Sequence, residues 1–180
     1  MRLFFGLSLP EDVRAVTRAC AESAAQTIPG RYALPQNHHI TLAFLGDVPP
    51  ERLGDARDVL ARCAAAFPAP ALSLDGYDFF GRRENGILIL RVGSRPPLFP
   101  LHEQLTGALH AAGLPADPGP FSPHITLARR AVIPAELPVC PSVFFSCSRA
   151  HVYLSARDEA GVLRYTLLET VDFSGTRSGN

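Results

Sequence analysis

The chain has 180 residues, is 47% hydrophobic and carries 17 basic against 17 acidic side chains, so its formal net charge is zero. A chain of this length and apolar content buries one sizeable core, or two small lobes sharing a cleft. The charge balance excludes bulk electrostatic adhesion to DNA or to an anionic membrane, and leaves any nucleic-acid contact to local groups.

In chain order, residues 2–8 read as a buried first strand. Pro10, Glu11, Asp12 and Arg14 interrupt the apolar run too early for a secretion signal. Ser8-Leu9-Pro10-Glu11 has the form of a capping box ahead of a helix over 10–26. A strand is expected over 38–45, and a helix over 50–66 introduced by Asp47. Strands follow at 71–80 and 86–92, joined by Glu84-Asn85-Gly86 as a tight hairpin. A helix over 99–112 is stopped by Gly113. Strands are then expected over 123–129, 142–154 (bent or split) and 162–172, the last two joined by a turn over 157–161. Connectors are expected over 93–100 and 113–123. Residues 1–173 read as a single domain, and 174–180 as a disordered polar tail. No stretch approaches the roughly 20 apolar residues of a membrane span. Paired strand runs amid helices predict an α+β fold with antiparallel sheets rather than a doubly wound parallel sheet.

The basic residues are all Arg, with no Lys anywhere. That removes Schiff-base, lysyl-nucleotide and P-loop lysine chemistry, and leaves phosphate recognition to Arg, backbone N–H groups, hydroxyls or His. The four Cys, at 20, 63, 140 and 147, form no CxxC pair. They read as neither a zinc site nor a disulfide framework, and fit a reducing cytoplasm.

One pentapeptide occurs twice: His39-Ile40-Thr41-Leu42-Ala43 and His124-Ile125-Thr126-Leu127-Ala128. Side chains alternate across a strand. His39 and Thr41 therefore share one face with Ile40, Leu42 and Phe44 on the other, and His124 and Thr126 oppose Ile125 and Leu127. Each strand would bury its aliphatic face and present an imidazole with a hydroxyl two residues on. Two strand–helix units carrying such strands suggest two lobes about a rough two-fold axis.

Two His on opposing walls suit the opening of a cyclic phosphodiester. One takes a proton from the attacking water, and the other gives one to the leaving oxygen on the far side of phosphorus. Imidazole, with its ordinary pKa near 6.5, suits both tasks. Thr41 and Thr126 would donate to the non-bridging oxygens as charge builds. A metal at His38, His39 and His124 is the rival reading. Adjacent His38 and His39 point to opposite faces, and no carboxylate or His-x-His completes a ligand set, so neither metal nor cofactor is expected. There is no Gly-x-Ser-x-Gly elbow for serine hydrolysis. His102 and His110 lie on a predicted helix as surface or partly buried groups, and His151 has no role.

At these residues the chain resembles the two-histidine (2H) phosphoesterase superfamily, and within it the RNA 2′,3′-cyclic phosphodiesterase group, formerly described as 2′-5′ RNA ligases (LigT/ThpR). The segments 37–46 and 121–129 resemble that group's two signatures. The resemblance implies that 1–173 is a single bilobal catalytic domain, with two antiparallel sheets and flanking helices around a central cleft. It implies metal-independent opening of an RNA-terminal 2′,3′-cyclic phosphate to a 2′-phosphate, with reverse 2′-5′ ligation at the same site. It implies His39 as general acid, His124 as general base and Arg129 as a contact to the terminal nucleotide or phosphate. Strict alternation instead places Arg130 on the His124 face; a bulge after Leu127 would reconcile the two. Phe44 and Tyr32 are candidates to stack on a base, Phe44 more readily read as core. The implied partners are RNA ends or nucleoside 2′,3′-cyclic phosphates, with no membrane, no obligate protein partner and a monomeric state. Two alternatives share these residues: a 2H enzyme for 2′-5′ oligoadenylate or a cyclic ADP-ribose phosphate, and a non-catalytic RNA-end binder.

Overall fold

The computed structural model describes residues 1–174. Nine strands and three α-helices follow one another in the order β1 (Arg2–Ser8), α1 (Glu11–Ala25), β2 (Arg31–Tyr32), β3 (His39–Asp47), α2 (Leu53–Ala65), β4 (Ala71–Arg82), β5 (Asn85–Arg95), α3 (Phe99–Ala111), β6 (His124–Ala131), β7 (Val143–Ser146), β8 (Arg149–Arg157) and β9 (Leu163–Asp172) among the described residues. They form two sheets, β3-β1-β8-β9 and β2-β6-β5-β4-β7, and all the strand pairings are antiparallel. This is the α+β architecture expected from the sequence.

The halves repeat one plan. A strand (β1 or β5) leads through a helix (α1 or α3) to the His-bearing strand (β3 or β6), which pairs antiparallel with the strand before the helix. Each helix buries one stripe: Val13, Thr17, Cys20, Ala21 and Ala24 on α1, and Leu101, Leu105 and Leu109 on α3. These stripes and the aliphatic faces of the sheets belong to one continuous core, in which Ile40, Leu42, Ile125 and Leu127 are fully buried. Gly6 sits where β1 meets the first motif. A Cβ there would lie 2.9 Å from the carbonyl oxygen of Ile40, so only Gly allows the two backbones to come this close.

Several local expectations change. Ser8 is no helix cap: it ends β1, and its hydroxyl meets His151 Nε2 at 2.9 Å, while α1 starts after Pro10 without a side-chain cap. Asp47 ends β3 rather than introducing a helix, and a 3₁₀ turn over Pro50–Arg52 leads into α2. The β4–β5 turn is Arg83-Glu84, with Asn85 and Gly86 already paired to Arg82 and Gly81. β5 runs on to Arg95, shortening the expected connector. The run at 142–154 divides into β7 and β8, which lie in different sheets. The two-residue β2 has too short a pattern to be read from sequence. Gly113 does stop α3: its φ is +64°, and Leu114 N–H reaches back to the Leu109 carbonyl at 2.9 Å. Ser174, expected in a disordered tail, donates its N–H to the Phe67 carbonyl at 2.9 Å, while 175–180 lie outside the described residues.

Candidate active site

β3 is the edge of its sheet, and β6 lies one strand in from the edge of the other. They are brought side by side by the chain between α1 and β3. There β2 pairs Arg31 and Tyr32 with Arg129 and Ala128, and Ala33 N–H donates to the Leu127 carbonyl at 2.8 Å. From the other side, Asp117 N–H donates to the Phe44 carbonyl at 2.9 Å, tying the segment before β6 to β3.

Both motifs carry the same irregularity. Across β1, Gly6 pairs with Thr41 and Phe5 with Ala43, so Leu42 is an extra residue. Across β5, Ile89 pairs with Thr126 and Leu88 with Ala128, so Leu127 is extra. Each bulge leaves Leu and the following Ala both buried and moves later residues to the opposite face. Phe44 thus comes to the His39 side and is 45% exposed, which corrects its reading as core. Arg129, at the equivalent place in β6, comes to the His124 side, and its charge acts on both imidazoles. Arg130 is itself an unpaired residue with φ +53°.

The two rings are oriented alike. His39 Nδ1–H donates to the Asn37 carbonyl and His124 Nδ1–H to the Ser122 carbonyl, each at 2.7 Å and each two residues back. A carbonyl only accepts, so both Nδ1 atoms carry hydrogen and both Nε2 atoms are left for chemistry. Thr41 Oγ1 lies 3.0 Å from His39 Nε2 and donates to it in the neutral ring. Asn37 is itself fixed by Nδ2–H to the Leu163 carbonyl at 2.8 Å. Aromatic rings brace both imidazoles: Phe4 (4.7 Å) and the edge of Tyr165 (4.9 Å) at His39, and the edge of Phe80 (4.9 Å) at His124. Sequence reasoning singled out none of these braces, because they come from strands remote in the chain. Thr126 is half-buried, two residues along the face from His124.

Both imidazoles resist protonation. Burial holds His39 down to about 4; the Asn37 carbonyl opposes this, and His124, His38 and Arg129 add to it. His124 is lowered too, chiefly by burial and then by Arg129, against the pull of the Ser122 carbonyl.

Cavities flank the pair. One of about 250 Å³ is lined by Thr41 and His124 together with Phe44, His102, Asp117 and Phe121. The other, about 200 Å³, is lined by His39 with Arg14, His38, Tyr153 and Tyr165. Tyr32 is not at the first cavity's wall, and its hydroxyl donates to the Ile28 carbonyl at 3.0 Å.

The remaining His split between structure and site. His38 is buried, its Nδ1 2.9 Å from Thr17 Oγ1, and His151 bridges Ser8 and Thr170. Burial pushes both down to about 4 from an ordinary 6.5. The unfolded chain therefore takes up protons below pH 6.5 that the folded chain refuses until pH 4. Above 6.5 the two states are equal in this respect. As pH falls through the window stability is lost, and the loss levels off below 4. Calorimetry should show Tm falling between pH 6.5 and 4, and His38→Gln should flatten that fall.

The sequence profile of the 2′-5′ RNA ligase superfamily matches residues 8–159, and the chain belongs to that superfamily. Among named relatives, the RNA 2′,3′-cyclic phosphodiesterase of Thermus thermophilus is 38% identical over 160 residues, spanning 81% of this chain and 75% of the relative. The enzyme of the same name from Geobacillus stearothermophilus is 31% identical over 129 residues; the match takes in 71% of this chain but only 41% of that protein's length. Among solved structures, Escherichia coli LigT complexed with 3′-AMP superposes with a TM-score of 0.70 at 30% identity, covering 96% of this chain and 98% of that one. These likenesses agree with the two-sheet 2H phosphoesterase fold described above. No helix among the described residues is long and apolar enough to cross a membrane.

Proposed function

We propose that this chain is a metal-independent RNA 2′,3′-cyclic phosphodiesterase that opens a terminal cyclic phosphate to a 2′-phosphate and, in reverse, joins such an end to a 5′-hydroxyl. The observation that carries the reading is the matched pair of imidazoles, each with Nδ1–H on a carbonyl so that Nε2 is the nitrogen that exchanges protons, and with the charge of His124 felt at His39. The names of the relatives support the same substrate class.

In this reading His124 Nε2 removes a proton from water, which attacks phosphorus in line with the 3′-oxygen. His39 Nε2 protonates that oxygen as the P–O3′ bond breaks. Each transfer contributes about 10² to 10⁴ in rate. Thr41 turns its hydroxyl from His39 to a non-bridging oxygen, Thr126 serves the other, and Arg129 neutralises the phosphate charge. Burial, His124 and Arg129 all oppose a proton on His39. The docked phosphodiester supplies the compensating negative charge. Residues 1–173 act as one catalytic unit, a monomer in a reducing cytoplasm; the four free thiols are compatible with that compartment.

Product analysis on an RNA oligonucleotide ending in a 2′,3′-cyclic phosphate tests the reading. A 2′-phosphate product, formed equally with and without EDTA, is expected. A 3′-phosphate, or loss of activity on chelation, would overturn it.

A further inference from the structure

The cavity beside His124 differs in kind from the reacting centre. It holds no Arg; its walls are the half-exposed Phe44 ring and His102 stacked face to face on Phe121, with centroids 4.3 Å apart and planes 4° apart. Flat apolar walls without a cation fit a nucleobase rather than a phosphate. Its side-chain polar groups beyond the reacting motifs are largely acceptors. His102 Nδ1–H donates to the Leu42 carbonyl at 2.8 Å, which leaves an acceptor lone pair on Nε2 of the neutral ring. Asp117 Oδ1 accepts Gly119 N–H at 2.9 Å, and Oδ2 forms no hydrogen bond among the described residues. An exposed carboxylate beside a phosphate-handling site repels its substrate unless it meets a donor.

The geometry points to this cavity as the seat of the substrate's base, with Asp117 Oδ2 and His102 Nε2 selecting a base that bears an exocyclic amino group. The inference rests on the phosphodiesterase reading and adds a base preference to it. Cytosine and guanine offer N–H₂ donors to these acceptors; uracil and hypoxanthine turn a carbonyl oxygen or a bare C–H toward one or both of them. A site built to accept hydrogen bonds discriminates against the analogue that lacks the donor. Because Asp117 is exposed, the effect is modest.

The test compares steady-state hydrolysis of four nucleoside 2′,3′-cyclic phosphates in two pairs, cytidine against uridine and guanosine against inosine. The wild-type protein should favour the amino-bearing member of each pair about fivefold to tenfold in kcat/KM, mainly through KM. Asp117→Asn keeps an oxygen for Gly119 N–H, so the loop stays formed, and replaces the free acceptor by an N–H₂ donor. That variant should lose the preference or reverse it towards uridine and inosine, with kcat little changed. Equal use of all four by the wild-type protein, or an unchanged ratio in Asp117→Asn, overturns the inference and leaves the phosphodiesterase reading standing. Turnover of an RNA 2′,3′-cyclic end but of none of the four mononucleotides overturns the inference alone; failure on the RNA end as well removes the phosphodiesterase reading, and this inference with it.

Discussion

His39→Ala and His124→Ala are each expected to lower kcat/KM for a nucleoside 2′,3′-cyclic phosphate by about 10³-fold or more, because each removes one of two proton transfers that the in-line reaction needs. Neither loss should come from unfolding. Both rings are only part-buried and sit on strand faces away from the continuous core. His39 gives up packing against Phe4 and Tyr165, so its variant should lose a few degrees in Tm; His124 gives up one edge contact with Phe80 and should lose less. The two variants separate the roles when offered a phosphodiester with a p-nitrophenolate leaving group, which departs without a proton. The variant lacking the acid recovers on that substrate and the variant lacking the base does not. With the proposed roles, His39→Ala is the one rescued. Rescue of His124→Ala instead would exchange the roles and keep the pair. Near wild-type rates in either variant on the cyclic phosphate would remove the pair from the chemistry.

What the sequence made legible was local and periodic. The duplicated pentapeptide located both His-bearing strands, and the aliphatic residues between the His and Thr positions predicted which face each strand buries; Ile40 and Ile125 are indeed fully buried. Alternation holds through Leu42 and Leu127 and fails at Ala43 and Ala128, for a physical reason. A bulge inserts an unpaired Leu, and a Leu-Ala pair buried on both sides of it looks in sequence like the ordinary end of a strand. Phe44 therefore reads as core and stands in the groove, while Arg129 stands where simple alternation puts Arg130. The repeat contained the hint, because the shared block runs through Ala43 and Ala128 and so fixes the same face change in both copies. The groups that orient the rings were out of reach for another reason. Asn37 and Ser122 act through main-chain carbonyls, which no residue type announces. Phe4, Phe80 and Tyr165 reach the site only through sheet pairing across long stretches of chain. His102 shows how easily a helix residue is discounted: its i, i+3, i+4 context describes the helix, not the cavity its end overlooks.

The pH dependence is where the electrostatics of the groove should appear most clearly. One imidazole must be neutral and one protonated, so kcat/KM should follow a bell whose limbs belong to the pair rather than to either ring. Burial and Arg129 hold both rings below the ordinary value, His39 to about 4, so in the free protein the singly protonated pair dwindles as pH rises through neutrality. The kcat/KM profile should therefore peak on the acid side of 6.5 and fall by up to tenfold per pH unit above it. In the complex the phosphodiester's negative charge favours the imidazolium, so the kcat profile should peak at higher pH than kcat/KM. Arg129→Gln separates two consequences of the same guanidinium. Loss of the phosphate contact should lower kcat/KM by about 10- to 100-fold. Loss of its positive charge makes either imidazolium easier to form, so both pKa values rise and the alkaline limb moves to higher pH. An unspecific structural defect would lower the whole bell without moving its limbs. A shift of the alkaline limb to lower pH in Arg129→Gln would contradict the placement of that charge beside the two rings.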